Sequence, residues 1–142
     1  MERDQRDWAT LSEHAKRISR RFDGSAEAVG AARAQVRDFL TGLVPPLSGR
    51  FVTDALIAVS ELVTNAVQHA PGPLGLEVEL GRDELRIGVS DTSTSAPRPR
   101  KPLFDGTGGL GLHMLFELAG EVETRLHPGG KTVSVRLRRA SA

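Results

Sequence analysis

The apolar positions of this chain follow two rhythms. AKRISRRF, residues 15 to 22, alternates enough to predict an edge strand. After the breaker DGS, apolar residues from Ala28 through Val36 to Leu43 recur at helical spacing. They predict a first helix over about Ser25 to Leu43, with Ser25 as its N-cap. VPPLSGR interrupts the pattern, because proline cannot continue a helix, and a longer helical period runs from about Ser48 to Ala70, where PGP stops it. Alternation of period two then takes over. LGLEVEL and ELRIGVSD read as strands joined around Gly81 to Asp83, and EVETRLH and KTVSVRLRR read as a second hairpin turning at PGG.

Between the hairpins, TSTSAPRPRKPLFDGTG is too rich in proline and small polar residues for regular structure and reads as a long mobile loop, and a helix over about Leu110 to Ala119 follows it. Residues 1 to 15 read as an arm that Trp8 and Leu11 can dock, with the folded domain over 16 to 139. Segregated hairpins and helices predict the α+β class. The expected form is a two-layer sandwich in which a mixed, mostly antiparallel sheet is covered on one face by helices, not a doubly wound parallel sheet.

Composition narrows the function classes. A length of 142 residues suits one core. No apolar run approaches the roughly 18 residues of a membrane span, and the charged start MERDQRDWAT is unlike a secretory signal. The chain has no cysteine, which excludes thiolate chemistry and predicts a cytoplasmic location. A net charge of +1 exerts no general pull on nucleic acid, so KRISRR and RLRR read as solvated strand faces. No direct nucleic-acid or membrane partner is expected.

Candidate chemistry begins on the long helix. SELVTNAVQHA sets Glu61, Asn65 and His69 at i, i+4 and i+8, a polar stripe opposite Leu62, Val63 and Ala66. A solvated helix face is the ordinary source of such a stripe. A carboxylate one turn from a carboxamide also suits phosphate chemistry with Mg²⁺, which prefers hard oxygen donors and takes few of them from protein. Asp91 ends the strand LRIGVSD, where its carboxylate can open an Asx-turn or accept a hydrogen bond from an exocyclic amine such as that of adenine. GTGGLGLHML then places glycines at 106, 108, 109 and 111 at the mouth of a helix, where bare amides favour an anion. Two look-alikes fail. The formal G-x-G-x-x-G of Gly106, Gly108 and Gly111 follows a proline-rich loop instead of a strand, and GGKT lacks the first P-loop glycine, with Arg125 in its place.

Taken in order, ELVTNAVQH, VSD, GTGGLGLHML and GGKTVSV resemble the four boxes of the Bergerat-fold ATPases shared by gyrase, heat-shock chaperones, histidine kinases and mismatch-repair proteins. The resemblance spans roughly residues 20 to 138. Small size and the helix-pair start look most like the anti-sigma-factor serine kinases of bacteria. The resemblance implies ATP and Mg²⁺ as cofactors, with Asn65 as the metal ligand and Glu61 as general base. It further implies that Asp91 binds the adenine amine and that the Thr132 hydroxyl supports the adenine end. Gly106, Gly108, Gly109, Leu110 and Gly111 would form the phosphate-facing part of a lid over residues 92 to 107. The partners implied are a sigma factor, a serine-bearing antagonist protein and a second copy of the chain.

Two departures stand out. The family's D-x-G-x-G is here DTSTS, with Ser93 and Ser95 where glycines are expected, which implies weaker ATP binding. In the lid, Arg98, Arg100 and Lys101 can clamp phosphates or solubilise the loop, and the second reading is favoured because charge runs usually face water. The implied activity is a protein serine/threonine kinase. Its alternative is a non-catalytic switch in which nucleotide binding orders the lid and tunes affinity for a protein partner. An isolated histidine-kinase catalytic domain is disfavoured, because no phosphoacceptor helix pair precedes the boxes.

Overall fold

The computed structural model describes residues 16–70, 72–92 and 121–139. The expected arm over 1 to 15, Ser93 and Ser95, the glycine cluster with Leu110, and the helix over 110 to 119 lie outside these residues. Within them run β1 (Lys16–Phe22), α1 (Glu27–Thr41), α2 (Gly49–His69), β2 (Leu74–Leu80), β3 (Glu84–Asp91), β4 (Glu121–His127) and β5 (Gly130–Arg138).

The strands form one five-stranded sheet in the order β1-β2-β3-β5-β4. All four described pairings are antiparallel, so the parallel component that a mixed sheet would add is not found among these strands. β1 is an edge strand, as its alternation predicts. Its exposed Lys16, Arg17, Arg20 and Arg21 discourage further strand pairing.

Period two decides which side faces inward. Leu74, Leu76 and Val78 of β2, Leu85, Ile87 and Val89 of β3, and Val133, Val135 and Leu137 of β5 are all buried on one face. α2 lies on that face through Val59, Leu62, Val63 and Ala66, and α1 buries Ala28, Ala32, Val36 and Leu40 in the same core. Alanines on both helices permit close approach, and each fully buried leucine contributes about 2 kcal/mol of transfer free energy.

The helix starts differ from one another. Ser48 is extended (φ −64°, ψ 149°) and its hydroxyl accepts from the Phe51 N–H at 3.1 Å, a side-chain N-cap at the expected place. Ser25 is not a cap. α1 starts at Glu27, the preceding Ala26 is already helical, and no side chain caps it. The Asp23 carboxylate instead takes the Ser25 N–H at 2.9 Å and closes an Asx-type turn one step earlier. The same bond holds the Asp23 carboxyl below its ordinary pKa.

Candidate functional site

α2 positions the first pair. Because Leu62, Val63 and Ala66 turn into the core, Glu61 and Asn65 fall together at its margin, both half-buried. Burial raises the Glu61 carboxyl above its ordinary pKa of 4.5, a shift towards the proton affinity useful in a base.

The chain leaving α2 leads to the second element. Ala70 is buried, Leu74 opens β2, and Gly75 pairs with Ser90 of β3. Gly72 has a positive φ of 126°, and a methyl group on it would stand 3.8 Å from Thr92 Oγ1. The C-terminal end of α2 and the Asp91 end of β3 therefore meet. A rise of 1.5 Å per residue puts Asn65 roughly 8 Å along the axis from that junction. A cavity of about 300 Å³ lies at this end of the sheet, walled by Arg20 and Arg21 of β1, by Gly75 and Glu77 of β2 and by Ser90 and Asp91 of β3, with no α2 residue in its lining.

Asp91 continues the inward face of Leu85, Ile87 and Val89, so its carboxylate points to the helix side, with the side chain 1% exposed. Opposite it in register stands Lys131. The lysine side chain is also 1% exposed, and its Nζ lies 3.1 Å from Asp91 Oδ1 and 3.0 Å from Oδ2. Backbone fit makes this meeting possible. A Cβ on Gly130 would overlap the Asp91 carbonyl oxygen, so only glycine lets β5 start this close to the end of β3.

The alternation that turns Lys131 inward turns Thr132 outward. Thr132 Oγ1 lies 2.8 Å from Ser90 Oγ and 3.3 Å from His127 Nε2, on the sheet face away from the helices. Thr132 thus shares neither the face nor the surroundings of Asp91. Its distance from the expected adenine end has a simple cause: one residue along a strand reverses the side-chain direction. Lys131 is the residue that shares Asp91's environment. The signal for it is present in the sequence, since counting back by twos from Leu137 through Val135 and Val133 arrives at Lys131.

Asn65 thus lies nearer than Glu61 to the end of the sandwich where Asp91 stands, with Glu61 one turn further back along α2. Among the described residues no three His, Cys, Asp or Glu side chains could jointly hold a metal ion. That donor set suits an ion held by one carboxamide and otherwise by phosphate and water, which is how Mg²⁺ is commonly bound beside nucleotides.

Residues 12–137 match the family described as the histidine kinase-like ATPase domain. The chain belongs to this family. Among sequence relatives of this ATPase domain, the serine-protein kinase RsbW of Staphylococcus aureus is 32% identical over 132 residues, covering 79% of this chain and 80% of the relative. The anti-sigma F factor of Pasteuria penetrans is 29% identical over 140 residues, covering 89% and 92%. Among solved structures, the RsbU and RsbW domains of a Mycobacterium tuberculosis protein superpose with a TM-score of 0.65 at 22% identity. That match takes in 89% of this chain but only 33% of the larger one. The Acinetobacter baumannii histidine kinase AdeS gives 0.50 at 18% identity, covering 87% of this chain and 68% of its own. These two similarities establish the fold alone. No described helix is long and apolar enough to cross a membrane.

Proposed function

We propose that this ATPase domain is a protein serine/threonine kinase that uses ATP to phosphorylate an anti-sigma-factor antagonist and that also sequesters a sigma factor. The observation that supports the reading is that half-buried Glu61 and Asn65 stand one helical turn apart on the helix that packs against β3, the strand that ends in the buried Asp91. The relatives' names, a serine-protein kinase and an anti-sigma F factor, support a serine-bearing protein substrate and a sigma-factor partner.

In this reading the Asn65 carboxamide oxygen is the protein's ligand to Mg²⁺, and Asp91 accepts a hydrogen bond from the adenine amine. When bound, the ion would supply charge neutralisation on the phosphates. A serine hydroxyl of the antagonist loses its proton to Glu61 as its oxygen bonds to the γ-phosphorus. The bond from that phosphorus to the bridging oxygen breaks, and ADP departs. Glu61 is suited to this because partial desolvation has raised its proton affinity while leaving it reachable. The glycine cluster at 106, 108, 109 and 111, with Leu110, contributes main-chain amides to the phosphates. The reading also includes a homodimer and a cytoplasmic location.

The test uses γ-labelled ATP, Mg²⁺ and the candidate antagonist, comparing wild type with Glu61→Ala and Asn65→Ala. Glu61→Ala is expected to bind ATP normally and to lose transfer by about 10²- to 10⁴-fold, the span typical of a removed general base. Asn65→Ala is expected to lose Mg²⁺-dependent ATP binding in calorimetry. Nucleotide binding by wild type with no serine labelled would identify a switch instead of a kinase.

A further inference from the structure

Lys131 is the largest fully buried side chain in the described core, and the kinase mechanism gives it no task. Its Nζ stands 3.1 Å from one oxygen of the Asp91 carboxylate and 3.0 Å from the other, and each side chain is 1% exposed. We propose that Lys131 is an internal competitor for the adenine amine, an autoinhibitory contact that engages Asp91 from within the fold and so keeps the domain's affinity for ATP low. The inference rests on the nucleotide-binding reading above and deepens it by naming what its base contact has to overcome.

The two donors are unequal. The ammonium carries a full charge and has three N–H groups to turn towards the carboxylate, whereas the adenine amine is neutral. Between ionised partners a Coulomb attraction adds to the hydrogen bond, and burial strengthens it by lowering the local dielectric. An amine that approaches Asp91 therefore draws the carboxylate away from a stronger bond than the one it offers. A binding site usually depends on its ligand's donors because a buried acceptor without a partner is expensive. Here the fold has already met that need.

The contact is built into the sheet. Lys131 stands opposite Asp91 in register, and a Cβ on Gly130 would overlap the Asp91 carbonyl oxygen, so the backbone approach that seats the ammonium requires glycine. Lys131 also continues the inward row of Leu137, Val135 and Val133, where an ammonium drawn off its carboxylate finds no water to replace it. Asp91 lines the cavity at this end of the sheet and Lys131 does not. The lysine thus acts through the carboxylate and needs no contact with the base.

The test sets affinity against stability. Calorimetry with ATP and with purine riboside triphosphate, which lacks the 6-amino group, each with Mg²⁺, compares wild type with Lys131→Met. The variant is expected to bind ATP at least about tenfold more tightly than wild type, the yield of one hydrogen bond to a charged group, and to bind the analogue as wild type does. A lysine with only a structural task predicts the opposite, since a loosened fold weakens both nucleotides together. Wild type is expected to prefer ATP over the analogue by no more than about tenfold, whereas a site whose buried polar group depends on its ligand rejects the incomplete analogue by about 10⁴-fold. A smaller gain for ATP, a loss, or a gain shared equally by the analogue overturns the proposal, and so does a wild-type preference beyond about tenfold. Should the variant not fold, judged by circular dichroism, the wild-type ratio alone decides. Any of these adverse results leaves the kinase reading intact, whereas wild type that binds neither nucleotide sinks both.

Discussion

Glu61 carries a pH dependence whose sign follows from its burial. Its folded pKa is raised above the ordinary 4.5, which the unfolded chain retains. Between the two values the folded state holds a proton that the unfolded state has released. The group's favourable contribution is therefore complete below the ordinary value and is lost as pH climbs through the folded one. Glu61→Gln removes the titration, so its stability relative to wild type should improve from about pH 4 to about pH 8 in urea unfolding. With Glu61 as the general base proposed above, catalysis runs the other way: phosphoryl transfer should fall on the acid side with a midpoint above the usual glutamate range, because only an ionised carboxylate can accept a proton. Glu61 and Asn65 were legible in the sequence because helical spacing alone puts them on one stripe. Asp91 was legible as the last residue of an alternating strand. Lys131 was harder to see, since a buried lysine contradicts composition rules, and only the facing carboxylate makes its position tenable.

The strand pairs and the long helix follow directly from period two and from the Ser48 and PGP punctuation, and the observed bounds of β2 and β3 coincide with LGLEVEL and ELRIGVSD. What the pattern did not disclose was which polar residue before α1 completes the turn. Asp23 and Ser25 both qualify by type, and the aspartate takes the backbone N–H first. The two serines should respond differently to the same change. Ser48→Ala removes a real cap and should cost about 1 kcal/mol, whereas Ser25→Ala should stay within about 0.5 kcal/mol. Denaturant midpoints of the two variants at constant slope check the contrast, and equal losses would contradict the assignment of the caps.

At the scale of the whole molecule, one core joins both helices to the inner faces of β2, β3 and β5, and the Asp91–Lys131 pair sits at its rim with both side chains withdrawn from solvent. Lys131→Met takes the buried ammonium away from the Asp91 carboxylate and should destabilise the domain by about 3–5 kcal/mol. Adding Asp91→Leu should restore most of that loss, since an apolar pair can replace a buried ionic one at little cost. Thermal unfolding of the single and double variants measures both effects. The pair also bears on how β3 and β5 find their alignment. Sliding one strand by two residues would keep the same side chains inward and so escape detection by the hydrophobic pattern. It would, however, set Lys131 against Val89, an ammonium ion facing a hydrocarbon wall. The aliphatic ladder tolerates several rungs, but the buried opposite-charge rung at its end admits one.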